Sequence, residues 1–316
     1  MILGIGEWFA LGAALAFAVA NVLTRVASTE GDPLAGTVIR LVPVALFGLV
    51  MMRRQRQATG RPQHPRAIAT DGTEFGLLLI YSVVVAPLAH VLLFLAFRYG
   101  GVLVAVPFFS TFPLLGAIIA IPFLGQALDG RVAAGIVVTV IGIALLTYGQ
   151  YTGAPVSAQW PLGALFGLLT ALAWAISSNL SSHLVRAGVT VYTIMGVTMT
   201  VSSIIITAIL AFSGRLSAFG AFSIQALWSL ILSGLLLGVA QYFLFSSLGH
   251  TTVASASTIK TLDVGLATAA AVLFLGEALN LAIAGGILLI IIGVVGVQLV
   301  KRTAAATGPL SGTVEV

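Results

Sequence analysis

Long apolar stretches alternate along the chain with short polar or Gly/Pro breaks. A hydrocarbon core of about 30 Å needs about twenty apolar residues per helix, and ten stretches of roughly that length follow one another. We number them as segments 1 to 10, and they cover residues 7–27, 33–52, 75–97, 102–124, 131–148, 160–185, 191–212, 226–248, 253–275 and 281–300. This pattern predicts an all-α integral membrane protein with ten transmembrane helices.

The composition favours a membrane protein over a soluble domain. Of the 316 residues, 59% are hydrophobic and only 7% are charged, whereas soluble domains carry about a quarter charged residues. Mean hydropathy is +1.14. The absence of cysteine excludes disulfides and thiolate metal sites. No Lys or Arg precedes segment 1, which is long enough to span a membrane, so we expect it to be retained and not cleaved as a signal peptide.

The positive charges indicate how the helices are oriented. A net charge of +5 could suggest a nucleic-acid partner, but five of the fourteen basic residues lie together in 53–66, which is a topology signal. With the N-terminus in the cytoplasm, nine cations lie at cytoplasmic ends and three at the opposite ends. The nine are Arg53, Arg54, Arg56, Arg61, Arg66, Arg131, Arg186, Lys301 and Arg302, and the three are Arg25, Arg98 and Arg215. We predict a multi-pass protein of a bacterial-type plasma (inner) membrane with both termini cytoplasmic. Its partners would be the bilayer and a small-molecule substrate, with no nucleic acid.

The chain also resembles itself when it is shifted by 151 residues. Leu-Gly-Gln-Ala-Leu at 124–128 then falls on Leu-Gly-Glu-Ala-Leu at 275–279, and His90 falls on Gln241. Five segments per copy is an odd number, so the second copy must enter the membrane from the opposite side. We predict two inverted five-helix repeats, 1–152 and 153–302, followed by a disordered cytoplasmic tail, 303–316. Inverted repeats are typical of secondary transporters, which hold their substrate near the midplane between the halves.

Two such repeats, each with a fourth helix that ends in Leu-Gly-(Gln/Glu)-Ala-Leu before a Gly-rich fifth helix, resemble the EamA-type transporters of the drug/metabolite transporter superfamily. The resemblance covers 7–302, and Arg40, Pro113 and the pair Ala173-Trp174 also match. It implies export of amino acids, nucleobases, drugs or similar metabolites through a cavity lined by segments 1, 3, 4, 6, 8 and 9. In segment 9, Val264 replaces the usual mid-helix proline.

Segment 9 carries two charged residues, Lys260 and Asp263, at membrane depth. Each costs about 2.5 to 3.5 kcal/mol on insertion scales, whereas each Val, Ile, Leu or Phe returns only about 0.3 to 0.6 kcal/mol. Segment 9 must therefore turn this face into the bundle or a wet cavity. Two interpretations remain open: an ion pair that only lets the helix insert, or a functional site. In a functional site, Asp263 would bind a proton or cation and Lys260 would anchor a substrate carboxylate or phosphate.

Segment 4 places aromatic residues where segment 9 has charges. In the 151-residue register Phe109 and Phe112 stand opposite Lys260 and Asp263, and they could stack on an apolar or aromatic substrate. Packing of the core is the alternative for each of them. Together the two segments predict a cavity with one charged wall and one aromatic wall.

Further candidates are polar or aromatic residues at membrane depth. His90 could titrate near neutral pH or serve as a hydrogen-bonded structural residue, and Arg40 could reach the outer interface by snorkelling. The remaining candidates for substrate binding or coupling are Asn21, Trp174, Ser178 and Gln241. Glycine stripes in segments 5 and 10 favour packing within the chain or a dimer contact, so we expect a monomer or a homodimer.

Other classes of function fit less well. An intramembrane aspartyl protease needs two buried aspartates, and the sequence offers only Asp263. The sequence contains neither a His-Glu-x-x-His motif nor a Gly-x-Ser-x-Gly motif nor a Gly-rich phosphate loop. We expect no enzyme activity, no cofactor, no metal and no direct use of ATP. The sequence predicts a secondary transporter that exports an amino-acid-like or amphipathic metabolite by alternating access, coupled to an ion or solute gradient. A channel or facilitator, or a scaffold or sensor, is the alternative.

Overall fold

The computed structural model describes residues 4–27, 30–59, 72–126, 128–150, 158–275 and 279–307, and within them every regular element is helical. A π-helical turn, Tyr81–Val85, joins α3 to α4, and a 3₁₀ helix, Leu216–Ala221, lies between α8 and α9. The α-helices are α1 Ile5–Ala27, α2 Pro33–Thr59, α3 Thr73–Ile80, α4 Ala86–Phe109, α5 Phe112–Leu124, α6 Gly130–Gln150, α7 Trp160–Arg186, α8 Val191–Phe212, α9 Ile224–His250, α10 Val253–Lys260, α11 Leu262–Leu275 and α12 Leu281–Thr307.

Eight helical stretches in the described part of the chain are long and apolar enough to cross a membrane. They correspond to predicted segments 1 to 8. Segment 9 is divided between α10 and α11, and segment 10 forms the first part of α12, whose apolar stretch Leu281–Val297 is shorter than the others. The chain is therefore an all-helical, multi-pass membrane protein.

The last helix is longer than predicted. α12 continues to Thr307, so residues 303–307, which we assigned to the disordered tail, are helical. Three consecutive alanines at 304–306 account for the extension, because alanine has the highest helix propensity. The rest of the predicted tail, 308–316, lies outside the described residues.

We predicted a non-helical break between segments 3 and 4 at residues 98–101. In the structure these residues are helical and belong to α4. Contacts with α7 nevertheless show that the chain changes direction there. Tyr81 lies beside Ser181 near the end of α7, and Tyr99 stacks on Phe166 near its start, with ring centroids 5.6 Å apart. The chain from Tyr81 to Tyr99 therefore runs antiparallel to α7.

Beyond this point the chain runs parallel to α7. A Cβ atom on Gly167 would lie 2.8 Å from the Cβ of Phe108, and the Nδ2 of Asn179 donates to the carbonyl of Gly116 at 3.0 Å. From Phe108 to Gly116, residues further along the chain therefore contact residues further along α7. α4 therefore bends back on itself between Tyr99 and Phe108, so that segments 3 and 4 run past α7 in opposite directions.

Two of the predicted segments are interrupted at membrane depth. Ser110 and Thr111 separate α4 from α5, and Thr261 separates α10 from α11. The 151-residue shift carries Ser110 onto Thr261. At each break a threonine hydroxyl donates to the carbonyl three residues earlier: Thr111 to Phe108 at 2.8 Å, and Thr261 to Thr258 at 2.6 Å. These bonds satisfy carbonyls that a continuous helix would have used.

The glycine stripes of α6 and α12 pack against each other within the chain. A Cβ atom on Gly142 would lie 2.9 Å from the carbonyl oxygen of Gly286, and one on Gly293 would lie 2.6 Å from that of Gly135. Low numbers in α6 meet high numbers in α12, so the two helices are antiparallel. Only a residue without a side chain permits this approach. The stripes are thus used inside the chain, and the oligomeric state stays a prediction.

At the end of the bundle where α1 begins, which we call the near end, α1, α7 and α9 are joined by polar contacts. Thr251 donates through its hydroxyl to the carboxylate of Glu7 at 3.1 Å. The guanidinium of Arg186 donates to the carbonyl of Thr251 at 2.9 Å and to the hydroxyl of Ser182 at 3.3 Å.

At the opposite end, which we call the far end, the α1–α2 connection meets the α8–α9 connection. Arg215 forms an ion pair with Asp32. The backbone N–H and the hydroxyl of Ser223 donate to the carboxylate of Glu30 at 2.8 and 3.1 Å. Each end of the bundle therefore joins the first half of the chain to the second.

Candidate functional site

Lys260 and Asp263 form an ion pair across the break between α10 and α11. The Nζ of Lys260 lies 3.0 Å from the Oδ2 of Asp263, and the two side chains are 15% and 2% exposed. Lys260 ends α10 and Asp263 lies in the first turn of α11. A cation at a helix C-terminus and an anion at an N-terminus are both stabilised by the helix dipole. The break at Thr261 therefore suits both charges.

Two residues of the first half extend this pair into a chain of four side chains. The Nδ2 of Asn21 in α1 donates to the Oδ2 of Asp263 at 3.3 Å, and the Nη2 of Arg40 in α2 donates to the Oδ1 of Asn21 at 3.2 Å. The Oδ1 of Asp263 and the Nε of Arg40 are buried and have no hydrogen-bond partner among the described residues. The cluster therefore keeps one unused acceptor and one unused donor.

Arg40 does not snorkel to the interface, as the sequence had allowed. Its guanidinium points inward because the amide oxygen of Asn21 accepts a hydrogen bond from it. The depth of Arg40 along α2 is compatible with a side chain that points inward and with one that reaches the interface. The contact with Asn21 of α1 decides between these two directions.

Aromatic rings surround the ammonium of Lys260. Its Nζ lies 4.7 Å from the ring centroid of Phe17, 5.7 Å from that of Phe112 and 5.8 Å from that of Trp174. Trp174 in turn packs edge-on against Phe109 and Phe112, with centroids 5.2 and 5.7 Å apart. These distances allow cation–π attraction, which strengthens when the ammonium loses water.

The charged wall and the aromatic wall are thus in direct contact. We call the seven residues that form them the central cluster: Phe17, Asn21, Arg40, Phe112, Trp174, Lys260 and Asp263. Five of these were candidates for the site on sequence grounds, and Arg40 was noted with them. Phe17 was missed, although it lies one helical turn before Asn21 on the same face of α1, a spacing that could have identified it.

The other candidates lie at or beyond the edge of this cluster. Phe109 contacts it through Trp174, and His90 lies near Arg40. Ser178 and Gln241 are partly exposed, and neither has a hydrogen bond with another described residue.

The cluster combines charged groups, an amide and aromatic rings. Among the described residues no group of three or more His, Asp or Glu side chains is placed to hold a metal ion. What the cluster offers is two fixed cations, one carboxylate, an amide and several ring faces.

Comparison with known proteins identifies the family. The sequence model of the EamA-like transporter family matches the chain twice, over residues 4–148 and 161–299. The chain belongs to the EamA-like transporter family. This confirms the resemblance seen in the sequence, and the protein is a membrane transporter.

Individual relatives agree with this EamA assignment. A protein of Clostridium kluyveri described as an uncharacterized transporter is 24% identical over 235 residues, which are 72% of this chain and 73% of that protein. A crystal structure of another protein superposes with a TM-score of 0.78 at 16% identity, covering 94% of this chain and 98% of that one. The latter likeness concerns the fold alone.

Proposed function

We propose that this EamA-family protein is a secondary transporter that moves a small organic solute by alternating access around the central cluster. The observation that carries the proposal is the Lys260–Asp263 pair, which is almost closed to solvent and lies at a helix break in the middle of the bundle. Charges at membrane depth are costly and are generally found where they bind or relay something. Broken helices at membrane depth are typical of transporter binding sites.

The proposal includes ten transmembrane helices in two inverted repeats. Three observations support it: the family model matches twice, the two helix breaks are 151 residues apart, and the glycine contacts are symmetric. The same shift carries Gly135 onto Gly286 and Gly142 onto Gly293, so it exchanges the contacts Gly135–Gly293 and Gly142–Gly286. α6 and α12 are antiparallel, so a rotation that exchanges them must have its axis perpendicular to both helices. If the helices cross the membrane, that axis lies in the membrane plane.

Alternating access also fits the contacts at the two ends of the bundle. Asp32–Arg215 at the far end and Glu7–Thr251 at the near end each join one half of the chain to the other. A transporter would open these contacts in turn, with the cluster reachable from one side at a time. A channel would need a continuous wet path past Asp263, which is only 2% exposed. We place the near end in the cytoplasm and take transport to be export, driven by an ion or solute gradient.

The test is flux in vesicles that contain the purified protein and no ATP. Cells with and without the protein are first grown on a panel of toxic amino-acid-like and amphipathic compounds, and the compound with the largest effect is used for counterflow. We expect accumulation that saturates with concentration and is lost in Asp263→Asn. Flux that never saturates would identify a channel, and flux that requires ATP and a second protein would contradict a secondary transporter.

A further inference from the structure

The central cluster carries an unequal number of positive and negative charges. Arg40 and Lys260 are cations, whereas among the described residues Asp263 is the only carboxylate joined to them, directly to Lys260 and through Asn21 to Arg40. The other acidic side chains among the described residues lie in connections or in the first turn of a helix, away from the two cations: Glu7, Glu30, Asp32, Glu74 and Asp129. Among the described residues, one of the two positive charges therefore has no counter-ion. Such an uncompensated charge is unfavourable away from water.

Arg40 is the cation that lacks a direct partner. Lys260 has the Oδ2 of Asp263 at 3.0 Å, but Arg40 reaches that carboxylate only through the amide of Asn21. Its buried Nε has no hydrogen-bond partner among the described residues. A guanidinium is suited to carboxylates because its donors are fixed in one plane. A carboxylate at Arg40 would supply both the missing charge and the missing acceptor.

The rings beside the charges indicate the rest of the ligand. Phe17, Phe112 and Trp174 lie 4.7 to 5.8 Å from the Nζ of Lys260, and Phe109 extends this surface behind Trp174. An aromatic body can stack on such rings while its charged end meets the cations. The unused Oδ1 of Asp263 adds an acceptor for one neutral donor, such as a hydroxyl group.

We propose that the central cluster binds an aromatic monocarboxylate, a ligand of net charge −1 with an apolar ring, in preference to a zwitterion or an organic cation. The proposal rests on the transport function proposed above and specifies its substrate class. A monoanion brings the net charge of the cluster from +1 to zero. A zwitterionic amino acid leaves it at +1, and an amine raises it to +2.

Three compounds with the same phenyl ring and two-carbon chain test the charge directly: 3-phenylpropionate, phenylalanine and phenethylamine. Binding to the purified protein in nanodiscs is measured by titration calorimetry. We expect 3-phenylpropionate to bind at least about tenfold more tightly than phenylalanine and phenethylamine not to bind. A preference for phenylalanine or phenethylamine, or no binding of any of the three to folded protein, overturns the proposal.

Variants at the cluster should change this preference in opposite directions. Arg40→Gln removes the excess charge and should weaken binding of 3-phenylpropionate more than tenfold. Asp263→Asn raises the net charge to +2 and should strengthen it. Arg53→Gln, at an exposed position in the last turns of α2, is the matched control and should change nothing. If Arg40→Gln does not fold, the sign of the Asp263→Asn effect still decides, since weaker anion binding in that variant contradicts the charge argument.

Flux measurements separate this proposal from the transport function. Binding of 3-phenylpropionate without its accumulation in vesicles would support the ligand class and contradict transport. Saturable counterflow of another solute, with no binding of 3-phenylpropionate, would support transport and overturn the ligand class.

Discussion

Lys260 and Asp263 are three residues apart and form an ion pair of 3.0 Å, yet they belong to different helices because the chain breaks at Thr261. A continuous helix would place two such residues on one face at the same spacing. Because of the break, Lys260 and Asp263 can move relative to each other. Movement of α11 relative to α10 would change the distance between the charges, so the pair can respond to a change in the conformation of the bundle.

Asp263→Asn should leave an inserted protein whose turnover falls by about tenfold or more and no longer depends on pH or on the coupling ion. The physical reason is that, in the part of the chain that the structure describes, Asp263 is the only carboxylate in contact with Lys260 and Asn21. The measurement is counterflow in vesicles across a range of pH, with insertion checked by size-exclusion chromatography.

The alternative, a purely structural ion pair, predicts a different result for the same variant. Removing one partner of a buried pair typically costs about 3 to 5 kcal/mol, so Asp263→Asn would then insert or express poorly. The double variant Lys260→Met with Asp263→Leu removes both charges and should rescue a structural pair. Full transport by that double variant would rule out a functional role for the two charges.

Much of the fold could be predicted from the sequence because the membrane restricts it. An apolar run of about twenty residues is long enough to cross the membrane as a helix, and eight of the predicted segments correspond to helical stretches of that kind among the described residues. The break within segment 4 was foreseeable from Pro113, which lacks an N–H group. The matching break at Thr261 was not, because no proline marks it and Val264 stands where one was expected. There the hydroxyl of Thr261 competes for a helical carbonyl, a local effect that periodicity does not reveal.

The site could be predicted only in part. Lys260 and Asp263 are identifiable from one helix, since their cost in lipid requires an inward direction. The inward direction of Arg40 depends on its contact with Asn21, and the role of Phe17 depends on Lys260 lying opposite. Such relationships between helices require the packing to be known. Gln241, which matches His90 in the 151-residue register, stays a prediction, because repeats that share a fold need not share a side-chain role.

Gly293→Ala should destabilise the protein, whereas Gly296→Ala on the same helix should not. A Cβ atom on Gly293 would lie 2.6 Å from the carbonyl oxygen of Gly135, but one on Gly296 would meet nothing within 4 Å. Overpacking of this kind typically costs about 1 to 3 kcal/mol. Thermal unfolding of the two variants in detergent provides the comparison. Equal melting temperatures would mean that α6 and α12 are not in contact in the membrane.

The absence of cysteine from the chain makes labelling a clean test of orientation. Ser213→Cys, after α8 at the far end, should react with a membrane-impermeant maleimide added to intact cells. Arg53→Cys, near the end of α2, should react only after the cells are permeabilised, because the near end carries the excess of cations. Labelling of Arg53→Cys in intact cells would reverse the topology.

The ion pair between Arg215 and Asp32 should hold the far end of the bundle closed, so Arg215→Gln should open it more often. A reporter cysteine replaces Ser178, which is partly exposed and lies one turn after Trp174 in α7. Arg215 is 41% exposed, and pairs of that kind contribute only about 0.2 to 1 kcal/mol. The expected change is therefore modest, an increase of at most about fivefold in the rate at which external maleimide labels Ser178→Cys. Arg53→Gln serves as the control, because it removes a cation from the opposite end. An unchanged rate in Arg215→Gln would show that the far-end contact is not a gate, and an equal increase in both variants would show a general loosening of the bundle.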